Sequence, residues 1–310
     1  MRVVLIGHGR FGRIYREHLE KRPDYKLVAV VDENPKALED VRGCSVLLGY
    51  EEANNIEHDA VIICTTPEAH TEYTMAALEN GKHVYCMKPG AMNLREALII
   101  NSLVKGSRLC HKIDYTPAWC EENGFMRDLF HTIGFPLKMS SIRSVMGAPR
   151  PEGIILDLFS HDVALCTSME FFGRRDELRV RCHVDGVKAA AHLSVDDHDV
   201  AFMMATYNAV PRRRKLHFDV YPQSSVTNPR FVVTWDQDSR IVNVESQSKN
   251  LDIVFAPKPD PIDLGLSAFL VDVEAASWGY VTHHDWFMQT MEILSAMMES
   301  AENNNKVVKL

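Results

Sequence analysis

A chain of 310 residues, 46% of them hydrophobic and 25% charged, is long enough to bury the cores of two domains. Its formal net charge of −8 excludes the broad basic face that nucleic-acid binding requires. No run reaches the roughly 18 apolar residues of a membrane span, and the stretch 3–6 is too short for the core of a signal peptide, so a cytoplasmic protein with no membrane partner is expected. The seven cysteines are odd in number, scattered and without a CxxC pair, which reads as reduced, packed thiols.

In chain order, RVVLI (2–6), KLVAVVD (26–32), DAVIICT (59–65), KHVYC (82–86) and SRLCHKI (107–113) read as buried strands, with helical patterns at 11–21, 68–79 and 94–105. Strands alternating with helices predict a parallel sheet covered on both faces. The pattern changes after residue 115. A helix at 119–131 leads to the extended GFPLKMSSIRSVM and a helix at 154–171. RVRCHVDGV, DVAFMMATY, KLHFDVY, PRFVVTW and RIVNVES then follow as short strands, and a helix at 283–300 closes the chain. The expected fold class is α/β, with an N-terminal domain over 1–115 and a C-terminal α/β domain over 116–310 on an open, mainly antiparallel sheet. The basic run PRRRK (211–215) reads as a solvated loop between strands, with a contact to a phosphorylated substrate as the minority reading.

GHGRFG follows the first strand and enters the first helix. Spacing alone is a weak signal, but its context is that of a dinucleotide site. Gly9 would let the backbone approach a pyrophosphate and the helix N-terminus would supply amide donors, so Gly7, Gly9, Arg10, Phe11 and Gly12 are the expected cofactor-binding residues. Asp32 closes the second strand about 20 residues on, where a carboxylate accepts from ribose hydroxyls and repels a 2′-phosphate. The site is read as an NAD(P)-binding Rossmann domain with NAD preferred over NADP. Arg10 and Arg13 flank it and would offset part of that repulsion.

TTPEAHTEYTMAALENGKHVYCMKPGAMNLREA (65–97) resembles the glucose-fructose oxidoreductase / inositol dehydrogenase (Gfo/Idh/MocA) family, with Thr66, Pro67, His70, Ala77, Leu78, Gly81, Lys82, His83, Val84, Lys88 and Pro89 in register. A second match is EGIILDLFSHDVAL (152–165), and the closing helix and strand also fit, so the resemblance spans nearly the whole chain. It implies an NAD(P)-dependent oxidoreductase moving a hydride between a nicotinamide and a secondary alcohol or ketone of a sugar, cyclitol or sugar derivative. By this resemblance Lys88 takes an active-site place, and Thr65, Thr66, Pro67, His70, Met87 and Lys88 join the cofactor site. Asp157 and His161, four apart on a helix, would share one face, and an imidazole beside a carboxylate can exchange a proton near neutral pH. The resemblance also implies a homodimer or homotetramer built on the open sheet.

Three departures are visible. Met87 stands where the family has glutamate, the triple glycine is reduced to Glu152 and Gly153, and Ala164 replaces an acid. Met87 and Ala164 favour the alternative, a non-catalytic dinucleotide-binding regulator. His283, His284 and Asp285 give no credible metal site, since adjacent histidines on a helix diverge by about 100°. Thr282 or those histidines are expected in the substrate pocket.

Overall fold

The computed structural model describes residues 1–134, 136–172, 177–195, 198–208, 211–221, 231–246, 249–255, 260–278 and 284–310. They form two compact units, residues 1–116 with 259–288, and residues 117–258 with 289–310.

The first unit contains β1 (Arg2–Ile6), α1 (Arg10–Lys21), β2 (Lys26–Val31), β3 (Ser45–Leu47), β4 (Ala60–Ile63), α2 (Pro67–Glu79), β5 (His83–Met87), α3 (Leu94–Val104) and β6 (His111–Asp114). All pairings are parallel, in the order β3-β2-β1-β4-β5-β6. This is the doubly wound dinucleotide-binding order, and its direction reverses between β1 and β4, where the crevice for a ligand opens. Val3 to Ile6 and Ala60 to Ile63 are buried, as strands covered on both faces must be.

Two details differ from the sequence reading. β3 was not foreseen, because three residues are too few to show a period. β6 starts at His111 rather than at 107. Ser107 spends its hydroxyl on the turn that ends α3, donating to the carbonyl of Val104 at 2.8 Å and accepting from the amide of Leu109 at 3.2 Å. Helix α6 (Pro261–Ser277) also packs in this unit. Tyr25 donates to the Leu266 carbonyl at 2.7 Å, the rings of Tyr85 and Phe269 lie 5.3 Å apart, and Lys112 of β6 pairs with Asp272 in the interior.

The second unit is built on α4 (Glu121–Ile133), β7 (Pro136–Ser144), α5 (Ser160–Ser168), β8 (Leu178–Asp185), β9 (Lys188–Val195), β10 (His198–Thr206), β11 (Arg213–Val220), β12 (Phe231–Asp236), β13 (Ile241–Glu245), β14 (Asn250–Val254) and β15 (Val308–Lys309). The closing helix α7 (His284–Glu302) precedes β15. The sheet runs β14-β13-β12-β11-β7-β10-β9-β8-β15, and every pairing is antiparallel except β7 with β10. The fold class is therefore α/β, a Rossmann sheet plus a second, mainly antiparallel sheet. One face of that second sheet is buried through Leu216, Phe218 and Trp235, with Phe130 of α4 at 5.1 Å from Phe218.

The basic run is not a loop. Arg213 to Lys215 open β11, and the positive charge is met at the end of β12 and in the β12–β13 turn, through Lys215 with Asp236 at 2.8 Å and Arg214 with Asp238 at 2.8 Å. The helix expected over 154–171 is present over 153–168, with Ile155–Phe159 widened into a π-helical turn that runs into α5.

Candidate active site

In the first unit the site is assembled from strand ends. Gly7 has φ +87°, and a Cβ there would meet the backbone of Cys64 at 2.7 Å. A Cβ on Gly12 would lie 2.0 Å from the Gly7 carbonyl. These two glycines let α1 close against β1 and β4. Gly9 is different, since nothing lies within 4 Å of a Cβ built on it. It caps α1 without a side-chain hydrogen bond, so the amides of the first turn, from Arg10 and Phe11 onward, remain available to an anion. The open space beside Gly9 is what the close approach of a phosphate to the backbone requires.

Asp32 follows β2 and is held by two amides, His8 N to Oδ2 at 2.7 Å and Asn34 N to Oδ1 at 2.9 Å. Such charge-assisted bonds fix the carboxylate without neutralising it. Of the two arginines expected to offset its repulsion, Arg13 is turned to Asp40 at 2.6 Å, while Arg10 stays exposed at the helix start.

Thr65 and Thr66 follow β4, and Pro67 occupies the first turn of α2, where its missing N–H costs nothing. His70 is buried, with Nδ1 at 2.8 Å from the Pro89 carbonyl and Nε2 at 3.3 Å from that of Thr65. Burial lowers its pKa, against the pull of these two carbonyls, which favours a neutral ring with Nδ1–H donating to Pro89. His70 thus ties the Thr65 loop to the Lys88–Pro89 segment from behind.

Met87 ends β5 and packs against the apolar core, with Lys88 next in the chain, half-buried, beyond the strand end. At Gly90 a Cβ would come within 2.5 Å of the Ile113 side chain and 2.7 Å of the Phe287 ring, so a larger residue would force them to shift.

In the second unit Asp157 sits in the π-helical turn and His161 in the first turn of α5. The π turn is a local widening of the kind that often marks functional segments. Two interactions that sequence reasoning missed hold this segment. Tyr207, buried just beyond β10, donates its hydroxyl to Asp157 Oδ2 at 2.9 Å, and burial and the nearby carboxylate push its pKa well up, so it remains a donor. Asp162, neighbour of His161, is buried and accepts from Arg143 of β7, at 2.9 Å from Nε and again from Nη2. Neither partner has a local signal, being 50 and 19 residues away in sequence.

Ala164 is buried in α5 and supplies no polar group. Thr282 and His283 lie outside the described residues, as do the side chains of His284 and Asp285. Among the described residues no cluster of histidine, cysteine and acid could hold a metal ion.

A parallel sheet in the dinucleotide-binding order, a glycine loop with one open position and an amide-held acid define a Rossmann-type dinucleotide-binding protein with a second sheet-based unit. Residues 1–112 match the model of the oxidoreductase family with an NAD-binding Rossmann fold, Gfo/Idh/MocA. The match is to the N-terminal, dinucleotide-binding unit.

The chain is 34% identical over 104 residues to myo-inositol 2-dehydrogenase of Thermotoga maritima, covering 31% of this chain and 30% of that protein. It is 32% identical over 139 residues to 1,5-anhydro-D-fructose reductase of Ensifer adhaerens, covering 41% and 42%. These alignments thus span less than half of each relative's length. In fold the likeness extends over the whole chain. Scyllo-inositol dehydrogenase from Lactobacillus casei, solved with NAD(H) and scyllo-inositol, matches with TM-score 0.77 at 17% identity, covering 100% of this chain and 98% of that one. Levoglucosan dehydrogenase in complex with NADH matches with TM-score 0.81 at 15% identity, with the same coverage.

Proposed function

We propose that the chain is an NAD-dependent oxidoreductase acting on a secondary alcohol, or its ketone, of a sugar, cyclitol or sugar derivative. The observation that carries the reading is the phosphate loop, where Gly7 and Gly12 are closed by backbone and Gly9 alone is open, beside an Asp32 held by two amides. The names of the relatives, inositol dehydrogenases and an anhydrofructose reductase, support the substrate class.

A bound nicotinamide dinucleotide would supply the hydride acceptor. The amides at the start of α1, with Gly7, Gly9, Arg10, Phe11 and Gly12, would hold its phosphates, and Asp32 its adenosine ribose. Thr65, Thr66 and Pro67 would border it, with Met87 and Lys88 at the end of β5. Lys88 polarises the substrate oxygen. His161 accepts the hydroxyl proton, and Asp157 stabilises the imidazolium that results. Tyr207 orients Asp157 by donating to its Oδ2. His70 positions Lys88 through Pro89.

The same reading makes the protein a cytoplasmic homodimer or homotetramer. All seven cysteines are free thiols, and among the described residues no helix is long and apolar enough to cross a membrane. Ile142, Phe202 and Met204 line one open sheet face and are 39%, 45% and 39% exposed, an apolar centre suited to a second copy.

The test follows reduced-nicotinamide absorbance while the purified protein meets NAD or NADP with a panel of polyols, cyclitols, sugars and sugar nucleotides. Turnover of one polyol class with NAD is expected. Silence across the panel in a preparation that binds NADH would contradict the enzymatic reading.

A further inference from the structure

Asp40 lies outside every motif described above. It follows the short turn Pro35–Leu38 that continues β2 beyond Asp32, and its carboxylate grips two arginines of α1. Oδ1 accepts from Arg13 Nη1 at 2.6 Å and Oδ2 from Arg16 Nη2 at 2.9 Å.

The place of Arg13 gives the grip its meaning. Its Nη2 donates at 3.1 Å to the Ala37 carbonyl, which also lies 2.6 Å from Nδ1 of His8. The backbone amide of that same His8 holds Asp32. A short chain of contacts therefore connects the Arg13 guanidinium to the carboxylate assigned to the ribose. A guanidinium in that neighbourhood is the group that would pair with a 2′-phosphate, by two parallel hydrogen bonds.

We propose that Asp40 is a specificity-determining residue that sequesters Arg13, so that the site refuses a 2′-phosphorylated dinucleotide for two separate reasons. Asp32 repels the phosphate, and Asp40 withholds Arg13, one of the two arginines beside the loop that would compensate. The inference rests on the cofactor reading above and extends it to a residue that contacts no cofactor. The pair is cheap to open, since Arg13 and Asp40 are 41% and 45% exposed and such surface pairs contribute little to folding. Arg16 is less free to follow. It is 13% exposed and keeps the Asp40 backbone carbonyl at 3.2 Å and Glu20 at 3.6 Å.

The experiment titrates NADH and NADPH, by fluorescence, into the wild-type chain, Asp40→Ala, Asp40→Asn and the double variant Arg13→Ala/Asp40→Ala. Wild type is expected to bind NADH more tightly than NADPH. Both single variants should bind NADPH about tenfold more tightly than wild type does, the gain of a charge-assisted pair, with NADH changed less than about twofold. The gain should vanish in the double variant. A wild type that binds NADH with unchanged NADPH affinity in both Asp40 variants overturns this inference alone, as does a gain that survives removal of Arg13. A wild type that binds neither dinucleotide overturns the cofactor reading and this inference with it.

Discussion

The phosphate loop and the Asp157–His161 segment are prepared by different means. The loop is built by backbone, because Gly7 and Gly12 are fixed by main-chain atoms of Cys64 and Gly7, and Asp32 is held by amides. The Asp157–His161 segment is built by side chains arriving from distant strands, Tyr207 beyond β10 and Arg143 on β7. A backbone-built site has its parts at fixed offsets in the chain and tolerates few substitutions. A side-chain-built site has its parts scattered, and each can be removed singly with a graded effect.

Asp162→Ala tests the second half of that comparison most severely. It strands the buried Arg143 guanidinium, and breaking one partner of a buried pair costs about 3–5 kcal/mol. Urea denaturation should show that loss, and a wild-type midpoint would mean that the pair does not seat α5. The loop answers with a contrast between neighbours. Gly12→Ala forces a Cβ to within 2.0 Å of a carbonyl oxygen and should destabilise by about 3 kcal/mol. Gly9→Ala should stay within about 0.5 kcal/mol of wild type yet lose at least about tenfold in NADH affinity. Equal effects of the two variants on stability would remove the distinction between closed and open positions.

The same division explains what the sequence made legible. GHGRFG, Asp32 and the strand alternation gave the parallel sheet and the phosphate loop, because each follows from a local spacing. The expectations for Lys88 and for Asp157 with His161 came from the motifs around them. Tyr207, Asp162's partner Arg143 and Asp40 were not, since their meaning comes from contacts 50, 19 and 27 residues away. The π turn at Ile155–Phe159 was hidden for another reason, because its apolar residues satisfy a helical pattern whether or not the turn is widened. PRRRK misled because a charge run shows neither its strand register nor the acids of a facing turn.

Tyr207→Phe sharpens the comparison at smaller amplitude. Removing the 2.9 Å bond to Asp157 should lower kcat about tenfold, leave KM nearly unchanged and shift the pH profile of kcat. A fall in thermal stability with an unaltered profile would make the tyrosine merely structural.

The smallest effect expected is on pH-dependent stability. His70 is held below its ordinary pKa, first by burial, so the unfolded chain binds its proton more readily and stability falls as pH drops below about 6.5. His70→Asn, which retains a donor for Pro89, should show a shallower loss of Tm from neutral to acid pH. His58 and His83, also lowered by burial, keep the remainder. An unchanged slope would exclude His70 from the linkage.

In the proposed mechanism Lys88 acts in the chemistry while the glycine loop and Asp32 hold the cofactor. Lys88→Met, assayed for turnover with the substrate found in the panel and titrated with NADH in the same preparation, tests it most directly. Turnover is expected to fall by about a thousandfold or more while NADH affinity stays within about threefold. Undiminished turnover in a variant that still binds NADH would contradict it.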